Sequence, residues 1–288
     1  MKGMRLGFTA LLCLLLFSLS GSISLAGDGA PKQAILIVAF GSSVEKARVA
    51  YARVEEQVRA ACPGHDIRWA WTAHSLLQSG PDGAPVPSVQ EALARLATEG
   101  VKDVAVLSLH VIPGAEYNVL AKNAEAFAGL PKGLERIRLC PPLLYDTSSL
   151  NEVARILAQS LPKEREKTEA VIYVGHGTHH PAGVYYPALQ HYLSRIDKNI
   201  FVGTVEGDLE LERLLPLLLE QGVKKVWLAP LMTVSGDHAL NDLFGDEDNS
   251  WKKRLNAANI SVEPIMRGLG ENPELLARWV AGLKKSMQ

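Results

Sequence analysis

From Ala34 onward, short runs of β-branched and aliphatic residues alternate with longer stretches in which apolar residues recur every three or four positions. The short runs cover residues 34–40, 66–72, 103–109, 136–139, 170–174, 200–204, 225–230 and 260–265, lengths that suit strands. The amphipathic stretches cover 44–61, 89–99, 117–127, 150–161, 209–221 and 274–285, lengths that suit helices. Strands that alternate with helices in this way predict an α/β fold, in which helices cover both faces of a parallel sheet.

The eight strands fall into two sets of four, and the sets resemble each other. Gly100-Val101-Lys102-Asp103-Val104, running on to Pro113-Gly114-Ala115-Glu116, parallels Gly222-Val223-Lys224-Lys225-Val226, running on to Ser235-Gly236-Asp237-His238. Residues 35–41 likewise parallel 171–177, each an apolar strand that ends in a glycine turn. Two pairs in the same order point to an internal duplication with its seam near the polar segment 162–168. The expected organisation is therefore two similar domains, 33–148 and 166–270, each a mainly four-stranded parallel sheet flanked by helices. A C-terminal helix in 271–288 is expected to pack back on the first domain.

The length of 288 residues fits two moderate domains, and 47% hydrophobic with 21% charged residues is an ordinary globular balance. A net charge of −1 gives no footprint for nucleic acid. The first residues depart from that balance. Lys2 and Arg5 precede an apolar run from Leu6 to about Leu19, and Ser24-Leu25-Ala26 follows. This is the pattern of a secretory signal peptide spanning residues 1–26, which would place the mature protein in the periplasm with no stable membrane anchor. A spanning helix wants about 20 apolar residues, and Ser18, Ser20, Gly21 and Ser22 interrupt the run. Cleavage leaves Cys62 and Cys140, which form no CxxC pair; export permits a disulfide between them, while two buried thiols are the simpler expectation.

Ligands of open parallel sheets bind beyond the carboxyl ends of the strands, and two-domain proteins favour the interdomain cleft. In the second half His176, Glu206 and His238 each follow a different predicted strand. If the first strand lies between the second and third, the three strand ends are neighbours. Two imidazoles and a carboxylate suit first-row divalent ions better than magnesium or calcium. Three protein ligands also leave the coordination sphere open. Each residue has a structural alternative: a histidine at a strand end often serves a local hydrogen bond, and Glu206 suits the start of a helix near Asp208. The acidic residues Asp237, Asp242, Asp246, Glu247 and Asp248 suit a solvated loop better than a cation funnel.

Around these residues the chain resembles the class II chelatases, in particular the sirohydrochlorin cobaltochelatases of the anaerobic cobalamin pathway. The matching stretches are Gly175-His176-Gly177-Thr178, Val202-Gly203-Thr204-Val205-Glu206-Gly207, and the run from Pro230-Leu231-Met232 through Gly236-Asp237-His238-Ala239-Leu240-Asn241-Asp242 to Ser250-Trp251-Lys252. Ala39-Phe40-Gly41-Ser42 and the run from Leu109-His110 to Glu116-Tyr117 match in the first half. The resemblance implies insertion of Co²⁺, with Fe²⁺ as a second candidate, into sirohydrochlorin in a cleft between two α/β domains. It implies no organic cofactor. It also implies metal contacts by His176, Glu206 and His238. Because the ring must lose two protons as it gains a dication, His176 and His238 are expected also to accept protons, since an imidazole pKa of about 6.5 is matched to neutral pH. Ser42, Ser43 and Glu116, at the corresponding ends of the first half, are candidates for contacting the macrocycle.

The compartment stands against this expectation, since the family assembles cobalamin in the cytoplasm. A periplasmic haem, tetrapyrrole or metal carrier built on the same scaffold is the alternative. His74, just after the second strand, is then the candidate haem ligand, with a surface or cleft histidine as its plainer reading. His179 and His180 are candidates to widen the metal site or to serve local hydrogen bonds. A homo-oligomer is the common default for such enzymes.

Overall fold

The computed structural model describes residues 32–78, 84–236 and 239–288. The leader 1–26 and His238 lie outside the described residues. All eight predicted strands form: β1 (Gln33–Ala39), β2 (Asp66–Trp71), β3 (Asp103–Ser108), β4 (Arg136–Leu139), β5 (Ala170–Gly177), β6 (Ile200–Glu206), β7 (Lys225–Pro230) and β8 (Ser261–Pro264). They make two parallel sheets of the same order, β2-β1-β3-β4 and β6-β5-β7-β8. The first strand of each set thus lies between the second and third.

The six predicted helices appear as α1 (Glu45–Ala61), α3 (Val89–Thr98), α4 (Ala115–Phe127), α5 (Thr147–Gln159), α7 (Leu211–Glu220) and α9 (Pro273–Met287). The capping box of Asp146 with Ser149 starts α5 three residues ahead of its apolar periodicity. Three helices escape the periodicity reading: α2 (His74–Gln78), α6 (Tyr185–Ile196) and α8 (Trp251–Ala257). In α6, Pro187 reads as a breaker, yet in the first turn a proline costs no hydrogen bond. Its apolar face is Tyr186, Leu189 and Leu193, all buried.

The strands are buried on both faces, and alternate residues serve different cores. Ile35, Ile37 and Ala39 of β1, with Val171 and Tyr173 of β5, enter one central core together with residues of α1, α5, α6 and α9. Ala34, Leu36 and Val38 face an outer core under α3 and α4. Ala170, Ile172 and Val174 face the matching outer core under α7 and α8. The two sheets therefore share a middle helical layer, and residues 31–288 form one compact unit.

The C-terminal helix α9 packs against α1, β3 and β4. Trp279 and Leu283 enter the central core, and Arg138 donates to the Met287 carbonyl at 2.8 Å. Arg138 and Arg136 also bond the carboxylate of buried Asp103. Arg138 thus links the first sheet to the terminal helix. Cys62 and Cys140 are buried free thiols, as the simpler expectation had it, and burial raises the pKa of each. Among the described residues no helix is long and apolar enough to cross a membrane.

Candidate active site in the cleft

The carboxyl ends of both sheets open into one cleft of about 630 Å³, within the range of small-molecule sites. The second half contributes His176, Gly177, Thr178 and Glu206, and the segment after β7 contributes Met232, Val234 and Gly236. The first half contributes Phe40, Ser42, Ser43, His110 and Glu116 among others. The segment after β7 joins the halves at the cleft. Thr233 donates to the Leu109 carbonyl at 2.6 Å, and Gly236 packs closely on Ser42.

β5 and β6 run two or more residues past their predicted ends and stay paired to Gly177 and Glu206. This extension carries His176 and Glu206 to the cleft. His176 Nδ1 lies 3.6 Å from Glu206 Oε1, and each side chain is 44% exposed. Metal bonds of about 2.1 Å from each atom span at most about 4.2 Å, so the separation admits one ion bound by both. Nδ1 also lies 3.3 Å from the Gly177 carbonyl, a bond the ring makes only while Nδ1 carries the proton and gives up when Nδ1 binds an ion. Glu206 does not start a helix: α7 begins at Leu211, and Glu210 accepts from the Gly207 N–H instead.

The approach of β5 to β6 requires glycine at 177. Its φ is +87°, and a Cβ there would land on the Glu206 carbonyl oxygen. The Tyr186 hydroxyl accepts from the Gly177 N–H at 3.4 Å, and burial pushes its pKa up to about 12. Tyr186 thus braces the turn as a neutral phenol.

Ser42, Ser43 and Glu116 all line the cleft. The Ser42 hydroxyl accepts from Val44 N–H at 3.2 Å. Glu116 sits in the first turn of α4, whose N-cap Gly114 offers no side chain. His74 opens α2 on the surface, 3.4 Å from Gln78, and is absent from the described cleft lining. His180 Nδ1 accepts from the Ala182 N–H, a local bond, and its Nε2 meets Asn118 of α4, in the first half, at 3.1 Å. Among the described residues no three histidine, cysteine or acidic side chains converge as a metal group. The structure thus unites His176 and Glu206 of the three residues selected by spacing.

Sequence reasoning named His110 without a role. It is buried on the cleft wall, with Ser108 Oγ 2.9 Å from Nδ1 and Thr72 Oγ1 3.3 Å from Nε2. Burial pushes its pKa down to about 4. Its signal was positional, since it stands two residues beyond β3 where ligands of such sheets gather.

The cobalt chelatase (CbiK) family model matches residues 33–288. The chain is 37% identical over 250 residues to the sirohydrochlorin cobaltochelatase CbiKC of Nitratidesulfovibrio vulgaris, covering 86% of this chain and 88% of that one. It is also 37% identical over 262 residues to the sirohydrochlorin cobaltochelatase of Salmonella typhimurium, covering 89% and 97%. Among solved structures, SirB from Bacillus subtilis with Fe³⁺ superposes at a TM-score of 0.58 with 16% identity, covering 88% of this chain and 95% of that one. The chelatase-like DR2241 of Deinococcus radiodurans gives 0.59 at 16% identity, covering 90% and 56%. At such identities these two likenesses concern the fold.

Two outcomes are expected from this geometry. Gly177→Ala forces β5 and β6 apart and lowers stability by about 1–3 kcal/mol; a denaturation midpoint equal to the parent's would refute the close approach. His110 has a folded-state pKa of about 4, below its unfolded value of about 6.5. The unfolded chain therefore binds more protons in that interval, and stability falls as pH drops from 6.5 towards 4, by up to about 1.4 kcal/mol per unit. Urea titrations should show this slope reduced in His110→Gln; an unchanged slope would mean His110 is not buried neutral.

Proposed function

The chain belongs to the cobalt chelatase (CbiK) family, and from that membership we propose that its cleft inserts Co²⁺ into sirohydrochlorin, with His176 and Glu206 receiving the ion. The observation that carries this assignment is the 3.6 Å pairing of imidazole and carboxylate at adjacent strand ends, open to the cleft. The full-length relatives at 37% identity act on the same macrocycle by name. His238, eight residues beyond β7, is the third ligand by sequence spacing.

Insertion exchanges one dication for two pyrrole protons, so the ring's charge is unchanged and two protons must leave. In this reading Glu206 offsets the ion's charge while it waits for the ring. His176 shares the ion and, as the ion passes into the macrocycle, takes one pyrrole proton to solvent while His238 takes the other, as imidazoles can near neutral pH. A mixed nitrogen and oxygen ligand set without thiolate holds the ion loosely enough to hand over. Fe²⁺ has the same ligand preference and is the second metal proposed.

The described lining contains no lysine or arginine. Recognition of the macrocycle's carboxylates then falls to uncharged donors such as the Ser42 and Ser43 hydroxyls and to the open N-terminus of α4. Glu116 in that first turn is repulsive to a carboxylate and suits a pyrrole N–H or the ion itself.

The leader pattern of residues 1–26 supports a periplasmic setting, and the family match begins after it, at residue 33. In the periplasm the chelatase would act outside the compartment that the family resemblance implies for cobalamin assembly, so the product's use would differ before its chemistry does.

With sirohydrochlorin and Co²⁺, the ring's absorption should shift over many turnovers in the parent protein. His176→Ala and Glu206→Gln should lower kcat by about 100-fold or more. Parental rates in both variants would overturn the assignment, and a stoichiometric shift without turnover would favour carriage. N-terminal sequencing of protein recovered from the periplasm should begin at Gly27; an intact Met1 in the cytoplasm would overturn the export reading.

A further inference from the structure

β1 and β5 occupy equivalent places in their sheets, and each delivers one side chain and one glycine turn to the cleft. The second half presents His176 before Gly177, with φ +87°; the first half presents Phe40 before Gly41, with φ +107°. The neighbouring strands differ in parallel. β6 brings Glu206 beside Gly177, whereas the segment after β2 brings Ala73, whose N–H donates to the Phe40 carbonyl at 2.9 Å. One backbone frame therefore offers an imidazole and a carboxylate on one side, and a phenyl and a methyl group on the other.

Phe40 is 48% exposed, although the residues of 34–39 before it are at most 2% exposed. A half-exposed phenyl at the end of a buried strand forgoes hydrophobic stabilisation that a covering ligand would restore. Its placement is built rather than loose. A Cβ on Gly41 would meet Leu76 Cδ1 and come within 3.2 Å of Trp71, so the turn packs closely on both side chains. The Gly41 backbone also bonds the hydroxyl of partly buried Tyr51.

We propose that Phe40 is the platform for the flat macrocycle, its phenyl ring stacked on the face turned away from His176 and Glu206. The tetrapyrrole then lies between an apolar wall from one half and the metal-bearing wall from the other. This rests on the reading of the cleft as a tetrapyrrole site. It makes Phe40 a determinant of ring binding and not of metal binding.

The experiment is a titration of metal-free sirohydrochlorin, followed by absorption, into the parent, Phe40→Ala, Phe40→Leu and Phe40→Trp. Turnover with Co²⁺ is measured alongside. Aromatic contacts of this kind correspond to about a tenfold change in affinity. Phe40→Ala should raise Kd and KM for the ring about tenfold, Phe40→Leu should recover only part of the loss, and Phe40→Trp should stay within twofold of the parent. KM for Co²⁺ should be unchanged in all. A ring Kd within twofold of the parent in Phe40→Ala overturns the proposal, as does full recovery by leucine or a rise in KM for Co²⁺ instead. If Phe40→Ala fails to fold, the leucine and tryptophan variants decide. A parent that binds the ring without inserting cobalt removes the chelatase reading and leaves the Kd series to judge Phe40. A parent that binds no ring overturns both.

Discussion

At the mouth of the cleft the backbones of two adjacent strands meet so closely that a single methyl group at Gly177 would fall on the Glu206 carbonyl. The ladder between β5 and β6 can stay closed to its last pair only because that position has no side chain and tolerates a positive φ. Closure sets the separation of the imidazole and carboxylate, and separation decides whether one ion can bind both. Tyr186, from the packed helix α6, holds the same turn by accepting from its N–H. The imidazole and carboxylate pair is thus held by regular structure and not by a free loop, which favours a fixed geometry.

Two titratable groups of the cleft lining are held uncharged by their surroundings. His110 is neutral because burial pushes its pKa down to about 4, and Tyr186 is neutral because burial pushes its pKa up to about 12. Desolvation opposes the charged form in both cases, so an acid and a base are each held uncharged by the same cause. The described lining carries no lysine or arginine, and its titratable groups concentrate around the strand ends. The lining is largely apolar with a few oriented polar groups, and at the ends of β5 and β6 a carboxylate and an imidazole adjoin. On the proposed reading the ring and the ion therefore meet different chemistry before they combine.

Two copies of one sheet order make this possible. The halves share a central helical layer, so the carboxyl ends of both sheets are fixed about one cleft. Equivalent strand ends carry Phe40 in one half and His176 in the other. An architecture that repeats its backbone and varies its terminal residues can build a two-sided site with little change to the core. The terminal helix α9, bonded through Arg138 to the first sheet, closes that core from outside the repeat.

Much of this was legible in the sequence because burial imposes periods: β1 and β5 read as strands from their apolar runs, and the four-plus-four order follows from the parallel glycine turns. The leader pattern was readable too, although its residues lie outside those described. Helix α6 was not legible, since Pro187 and three tyrosines mask a periodicity that only packing on β6 reveals. The ends of β5 and β6 were placed too early because His176 and Glu206 are polar, and polarity there reflects the cleft and not the end of the ladder. By itself the sequence determined the order of elements and the residue types at strand ends, which depend on local pattern. Tertiary structure alone decided that His176 and Glu206 stand 3.6 Å apart, that His74 lies on the surface and that Phe40 faces the cleft. Those outcomes depend on how distant strands twist and pack, and no periodicity within one segment encodes them.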